Sequence, residues 1–469
     1  MRRVYDEGGI QTAPTGPIPS FPPSRGTSTM TTLRLRAGLA GLVALTIAGV
    51  AAPAMARVEF DLWHAHSPDI TLGKTIARYA AEFNAAQSDY QVNAVFKGSY
   101  DDVINGAIAA ARAGKAPAIV QVHAPAAPTV IYSKAAKPVD EVMAEAGIQV
   151  DWSRYIQPVI AAYQEGGHQI GMPFNTSTPL MWMNRDLMSK AGVEAVPTTW
   201  DELEAAAVRL KAAGVDCPVV PSWQEWTLIK NYAFIQDIPV ATPANGMEGP
   251  GARLTVNDPR MVAHLDRLQR WVKDGLMSYQ GRQWTGAHEA FYAQRCAIML
   301  ESSAGYGGIS QKAKFDFAAA MLPVEAGTTD PKNSFIGGAG LFVMNGQTPE
   351  VYKGVAAFLA FLAETPRQVD WHKVSGYVPI TLDAYEAAKA EGYYQKFPHQ
   401  ELAILQLTRG TPTPNTRGIR LGYLVQIDEI LNEELENIWS MKKTAAQAMD
   451  DAVRRANPLL ERFERTIGQ

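Results

Sequence analysis

Trp63-His64-Ala65-His66 is the first stretch of the chain able to do chemistry. Two imidazoles two residues apart in an extended segment project to one side, which is half of what a secreted metallohydrolase needs. The other histidines, His123, His168, His264, His288, His372 and His399, are scattered without ligand spacing, so neither a metal nor another cofactor is expected. The competing reading puts Trp63 and His64 at a loop tip beyond a strand, where α/β folds collect their ligands. Ser302-Ser303-Ala304-Gly305-Tyr306-Gly307-Gly308 has the glycines of a phosphate-cradling loop but lacks the Lys-Ser/Thr ending. No G-x-S-x-G elbow occurs, and no carboxylate pair stands in an acid/base context. Trp223-Gln224-Glu225-Trp226 is more informative. Two indoles three apart make a broad apolar wall with ring N–H donors, suited to the carbon skeleton of a polyol; the other reading is core packing.

The elements that must position these residues read as alternating strands and helices. Val58, Phe60 and Leu62 alternate with Glu59 and Asp61 as in a strand. Leu72, Ile76, Tyr79, Ala80 and Phe83 recur at helical spacing, and Val92 to Phe96 is the next strand. Ser99 and Asp102 resemble a capping box before a helix carrying Val103, Ile104, Ala107, Ile108 and Ala111, stopped by Gly114. Ala118 to Val122 is a short buried strand. This β-α-β-α-β order predicts a mostly parallel, doubly wound sheet. A second α/β region has Leu180–Met183 as a strand and Thr199/Glu202 capping a helix with Trp200, Leu203, Ala207 and Leu210. Helices are predicted over 258–275 and 349–362, and at the end, where Thr444-Ala445-Ala446-Gln447 caps a helix containing Ala448, Val453, Leu459 and Phe463.

A chain of 469 residues, 47% of them hydrophobic, can build two domains. Residues 1–29 are Pro/Ser/Thr/Gly-rich and outside the fold, either disordered or ahead of the true start codon. Residues 30–56 read as a signal peptide: basic Arg34 and Arg36, an apolar run from Ala37 to Ala52, and Ala54-Met55-Ala56 for cleavage before Arg57. The formal charge is −4, and loss of a leader carrying a net +3 leaves −7, a balance unsuited to nucleic acid or anionic membrane. Cys217 and Cys296 either bridge in an oxidising compartment or stay as two buried thiols.

Several blocks occur in one order: Phe96-Lys97-Gly98-Ser99-Tyr100, Pro173-Phe174-Asn175-Thr176-Ser177-Thr178-Pro179, the Trp223/Trp226 block, Ile336-Gly337-Gly338-Ala339, Gly376-Tyr377-Val378-Pro379 and Arg417-Gly418-Ile419-Arg420. In these the chain resembles the periplasmic glycerol-3-phosphate-binding proteins within solute-binding family 1. The resemblance implies a non-enzymatic, monomeric receptor with a two-lobed α/β fold. It would pass a small ligand to an ABC permease with its ATPase. Lobe I would hold 57–172 and 333–372, and lobe II 177–325 and 376–469, with ligand in the cleft between them. By the same resemblance the phosphate contacts fall on Tyr100, Ser177, Ser302, Gly338 and Tyr377, with Trp223 and Trp226 on the glycerol. Two positions depart from the family: Ala124 stands where it carries a glycerol-reading Glu, and Asp428 where it carries a phosphate-pairing Arg. Asp428 lies in an apolar stripe with Leu424, Leu431 and Leu435, which points it inward or to a solvated boundary. Either Arg420 replaces the missing cation, or the ligand is a glycerophosphodiester with a cationic head, a neutral polyol or a sugar. Trp63, His64, Ala124, Arg420 and Asp428 are therefore candidate specificity positions.

Overall fold

A computed structural model describes residues 57–467; the expected signal peptide and the stretch before it lie outside the described residues. The opening alternation becomes strand Val58–His64, which buries Phe60, Leu62 and His64 on one face. It is the hub of a six-stranded sheet, pairing in parallel with Tyr90–Phe96 and Ile119–His123. A second sheet of four strands contains Phe317–Ala320, Pro179–Asn184, Cys296–Ser302 and Cys217–Pro221.

In each sheet one strand runs against the rest. In the first it is Gly337–Met344, antiparallel to Ile119–His123, Gly171–Ser177 and Ala136–Lys137. In the second it is Pro179–Asn184, antiparallel to both its neighbours. Both reversed strands directly follow a passage of the chain from the other sheet, so they enter from the opposite end. The parallel strands of both sheets consequently aim their C-terminal ends at the junction, where α/β folds bind ligands.

Local signals hold the helices in place. Ser99 caps Tyr100–Arg112 and Thr199 caps Trp200–Ala212, each in a reciprocal capping box. Of the apolar residues in the first of these helices, Val103, Ile104 and Ala107 are buried, while Ile108 is 40% exposed. The last helix, Ala445–Ile467, buries Ala448, Met449, Ala452, Ala456, Leu460 and Phe463. Val453 and Leu459 are only half-buried, because the seam is built of small alanines that hydrophobicity alone does not mark. Among the described residues no helix is long and apolar enough to cross a membrane.

Cys217 and Cys296 are bonded, and they are partners in register across two parallel strands. They lie 79 residues apart in sequence, so the bridge constrains a long loop of the unfolded chain. Replacing both by Ala should lower stability by about 2–4 kcal/mol. Urea denaturation of the oxidised wild type against the double variant measures this.

Candidate ligand-binding cleft

The site grows from the sheet ends. Helix Tyr100–Arg112 follows strand Tyr90–Phe96 after a three-residue turn, so Tyr100 sits at the strand's C-terminal edge. Asn175, on the crossing strand, donates its amide to the Tyr100 hydroxyl at 2.9 Å. Gln121 donates to Asn175 Oδ1 at 2.8 Å, lies 3.2 Å from His66 Nε2, and accepts the Ala65 N–H at 2.8 Å. The His66 ring in turn stands against Tyr100 and Tyr377, with centroids 6.1 and 6.4 Å apart. Tyr377 is stacked on Trp371 at 5.7 Å and held through its own backbone, whose N–H donates to Ser375 Oγ and whose carbonyl accepts from His372 Nδ1. Burial pushes both tyrosine hydroxyls above their ordinary range, so both remain neutral donors.

Gly338 is required for the crossing to close. Its φ is +89°, and a Cβ there would lie 1.7 Å from the Asn175 carbonyl oxygen. Ser177 faces Gly337 in the same strand pair and is buried. Ser302, ending strand Cys296–Ser302, accepts the Ala304 N–H at 3.1 Å and turns the chain into the next helix. Beside it the carboxylate of Glu301, 2% exposed, accepts from Ser222 Oγ and lies 3.3 Å from His288 Nε2.

The two tryptophans have different environments. Trp226 donates its ring N–H to the Ile336 carbonyl at 3.1 Å, and its ring lies against Gly337, so it is built into the crossing. Trp223 is half-buried and takes a left-handed backbone, φ 46°. Between them starts a π-helix, Glu225–Lys230, a rare geometry that often marks a functional site. Its i→i+5 spacing brings Glu225 and Lys230 to one side, 4.0 Å apart.

Of the two positions its stripe left open, Asp428 takes the inward one and is 7% exposed. It does not stand alone, because Lys230 Nζ lies 2.6 Å from Oδ1. Lys230, 1% exposed, went unnoticed in sequence because nothing in EWTLIK distinguishes a buried lysine from a solvated one. Burial pushes the Asp428 pKa up to about 7, with Lys230 opposing and Glu225 reinforcing the shift. Ala124 begins the short turn Ala124–Ala126, which packs on helix Leu424–Trp439, the helix that carries Asp428.

Arg420 lies elsewhere. Its guanidinium binds the Glu165 carboxylate and the carbonyls of Gln164 and Ala161, beside a cavity of about 480 Å³ lined by Met247, Pro412 and Arg417. With those partners it is not the replacement cation for the cleft. Trp63 and His64 are not at a loop tip; they end the first strand. Trp63 turns from the buried face to lie under Lys97 Nζ, 3.8 Å from the ring centroid. His64 Nδ1 accepts the His66 N–H at 3.3 Å, and burial depresses the pKa of His64 to about 4 and of His66 to about 3. Both rings are buried, and among the described residues no cluster of three ligand-type side chains forms. Gln121, Asn175 and Glu301 stand beside the expected contact residues without having been anticipated, whereas His66, read from sequence as half of a possible metal pair, stands here against Tyr100 and Tyr377. The signal for the first three was weak: polar residues at the ends of otherwise apolar strands.

Two α/β sheets joined by strands that pass from one to the other are the architecture of a two-lobed binding receptor. The chain belongs to the bacterial extracellular solute-binding proteins, whose family model matches residues 78–399. It is 41% identical over 420 residues to the sn-glycerol-3-phosphate-binding periplasmic protein UgpB of Escherichia coli strain 536, covering 88% of this chain and 95% of that one. To UgpB of Salmonella typhimurium LT2 it is 42% identical over 418 residues, covering 88% and 94%. Among solved structures it is similar to UgpB from Mycobacterium tuberculosis in complex with glycerophosphocholine (TM-score 0.74, 21% identity, 86% of this chain and 99% of that one). The GacH receptor of Streptomyces glaucescens gives a TM-score of 0.73 at 17% identity, over 86% and 99% of the two chains.

Proposed function

We propose that this protein is the periplasmic receptor of an ABC importer and captures sn-glycerol 3-phosphate or a glycerophosphodiester. The observation that supports the reading is the hydrogen bond from Asn175, on the crossing strand, to the Tyr100 hydroxyl. In this reading the hydroxyls of Tyr100, Tyr377, Ser177 and Ser302 and the backbone at Gly338 form the donor set for the phosphate. Neutral hydroxyl and N–H donors hold an oxyanion without a full counter-charge. Trp226 supplies the apolar wall for the glycerol carbons. Residues 30–56 direct export and are removed before Arg57. Lobe I comprises 57–172 and 333–372, lobe II 177–325 and 376–469, and their closure as a monomer delivers ligand to the permease with its ATPase. The protein is a carrier, with no catalytic role for His64 or His66.

Calorimetry of the mature protein with sn-glycerol 3-phosphate, glycerophosphocholine, glycerol and maltose tests this. At least one phosphate ester should bind with defined stoichiometry, while glycerol and maltose do not. Binding of maltose or glycerol alone would replace the reading with a sugar or polyol receptor. Trp226→Ala should weaken ester binding by about 1–3 kcal/mol in protein that stays folded by circular dichroism. Normal affinity in the folded fraction would mean the ring only packs the crossing.

A further inference from the structure

One residue before Ser302 the chain buries a carboxylate. Strand Cys296–Ser302 is apolar up to that point, and Glu301 is only 2% exposed, so its charge has to be answered by neighbours. Three answer it, each from a different element. Oε1 accepts the Ser302 N–H at 2.7 Å. Oε2 accepts from Ser222 Oγ, just past strand Cys217–Pro221, and stands 3.3 Å from Nε2 of His288 on helix Trp284–Tyr292. The turn after Ser302 folds over the same side chain, since a Cβ at Gly305 would lie 3.0 Å from Glu301 Cγ. That turn is also tied to the crossing strand, because the Ser303 N–H donates to the Thr178 carbonyl at 2.8 Å.

Ser222 is an anchor in its own right. Its N–H donates to the Leu300 carbonyl at 2.9 Å, and its carbonyl accepts from Thr227 Oγ1 at 2.8 Å. Thr227 also donates its N–H to the Trp223 carbonyl at 2.9 Å. The left-handed turn at Trp223 and the start of the π-helix carrying Trp226 therefore hang from Ser222.

We infer that Glu301 is a positioning residue for ligand capture: through Ser302 and Ser222 it holds the hydroxyl end and the indole end of the second sheet's binding surface in one register. The inference rests on the reading of Ser302 and Trp226 as ligand contacts. A carboxylate suits the task, because its two oxygens take donors from separate elements and its charge strengthens each bond. Ser302 keeps its own role, since a serine hydroxyl that accepts one N–H, here from Ala304, can still donate its proton. Burial raises the Tyr377 pKa and the Glu301 charge adds to the rise, so that hydroxyl also stays a donor.

The test is calorimetry of the mature protein with sn-glycerol 3-phosphate and glycerophosphocholine. It reads Kd and stoichiometry separately, so unfolded protein lowers the stoichiometry and leaves Kd alone. Glu301→Ala should weaken binding of the preferred ester by roughly tenfold or more. Glu301→Gln should stay within about threefold of wild type. Its amide oxygen can accept the Ser302 N–H and its NH2 can donate to Ser222 Oγ, whose proton then turns to the Leu300 carbonyl, 3.2 Å away. Rescue by Gln is the mark of a geometric role. A Gln variant as weak as the Ala variant overturns the inference, because charge rather than register would then be at work. An unchanged Kd in Glu301→Ala overturns it too and leaves the receptor reading standing. Should Glu301→Ala not fold, Ser222→Ala carries the test: at a residue 0% exposed, it should still raise Kd about threefold or more, and an unchanged Kd overturns the inference. If wild type binds neither ester, the reading of Ser302 as a phosphate contact and the inference fall together.

Discussion

Lys230→Met should destabilise the protein by about 3–5 kcal/mol at pH 8, because it leaves Asp428 buried without a counter-charge. The loss should depend on pH in a defined direction. Burial raises the Asp428 pKa from 3.8 to about 7, so the folded state holds its proton more tightly than the unfolded state. Its contribution is therefore fully favourable below pH 4 and declines as pH rises towards the folded pKa. In wild type the decline ends near pH 7, where the carboxylate ionises beside Lys230. Without Lys230, the largest influence opposing that shift is gone, and the pKa rises further. The variant should keep losing stability above pH 7, by up to about 1.4 kcal/mol per pH unit. Urea denaturation at pH 6, 7.5 and 9 should show the gap widening with pH. A gap that stays constant would mean Asp428 does not titrate with the buried pair. Lys230→Met combined with Asp428→Leu removes both charges and should recover much of the loss, as replacement of buried ion pairs by apolar residues usually does.

The same pair shows where sequence reading stops. Apolar periodicity located the helix and the inward face of Asp428, because helical phase is local information. Its partner lies 198 residues earlier on a π-helix, and no local pattern announces that register. Strands and capping boxes were legible for the opposite reason: Ser99 with Asp102 and Thr199 with Glu202 satisfy their own helix ends within four residues. The contributions of Tyr100, Ser177, Gly338 and Tyr377 were readable only through resemblance. Their meeting depends on the chain's three passages between lobes, and strand order is a long-range property. Arg420 illustrates the converse. A conspicuous cation in a glycine-bearing block invited an anion-binding role, but the fold gives it Glu165 and two carbonyls instead.

Gly338→Ala should abolish ligand binding, with affinity falling at least about a hundredfold, and lower stability by more than about 3 kcal/mol. Two costs combine. A left-handed backbone disfavours any Cβ by about 1–2 kcal/mol. The added methyl would also sit 1.7 Å from the Asn175 carbonyl oxygen, a backbone atom in a paired strand that has little freedom to move. Relief requires the crossing strand to shift at Asn175, whose side chain holds Tyr100 and is held by Gln121. The clash thus passes directly into the donor set. Gly346 provides the internal control. Its φ is +88°, almost that of Gly338 at +89°, but a Cβ there meets nothing within 4 Å. Gly346→Ala should show the backbone penalty alone, about 1–2 kcal/mol, with affinity unchanged. Thermal denaturation and calorimetry on the two variants separate strain from contact. If both lose stability equally and both still bind, the approach of Gly338 to Asn175 is not what holds the cleft together, and the donor set must be positioned from within each lobe rather than by the crossing.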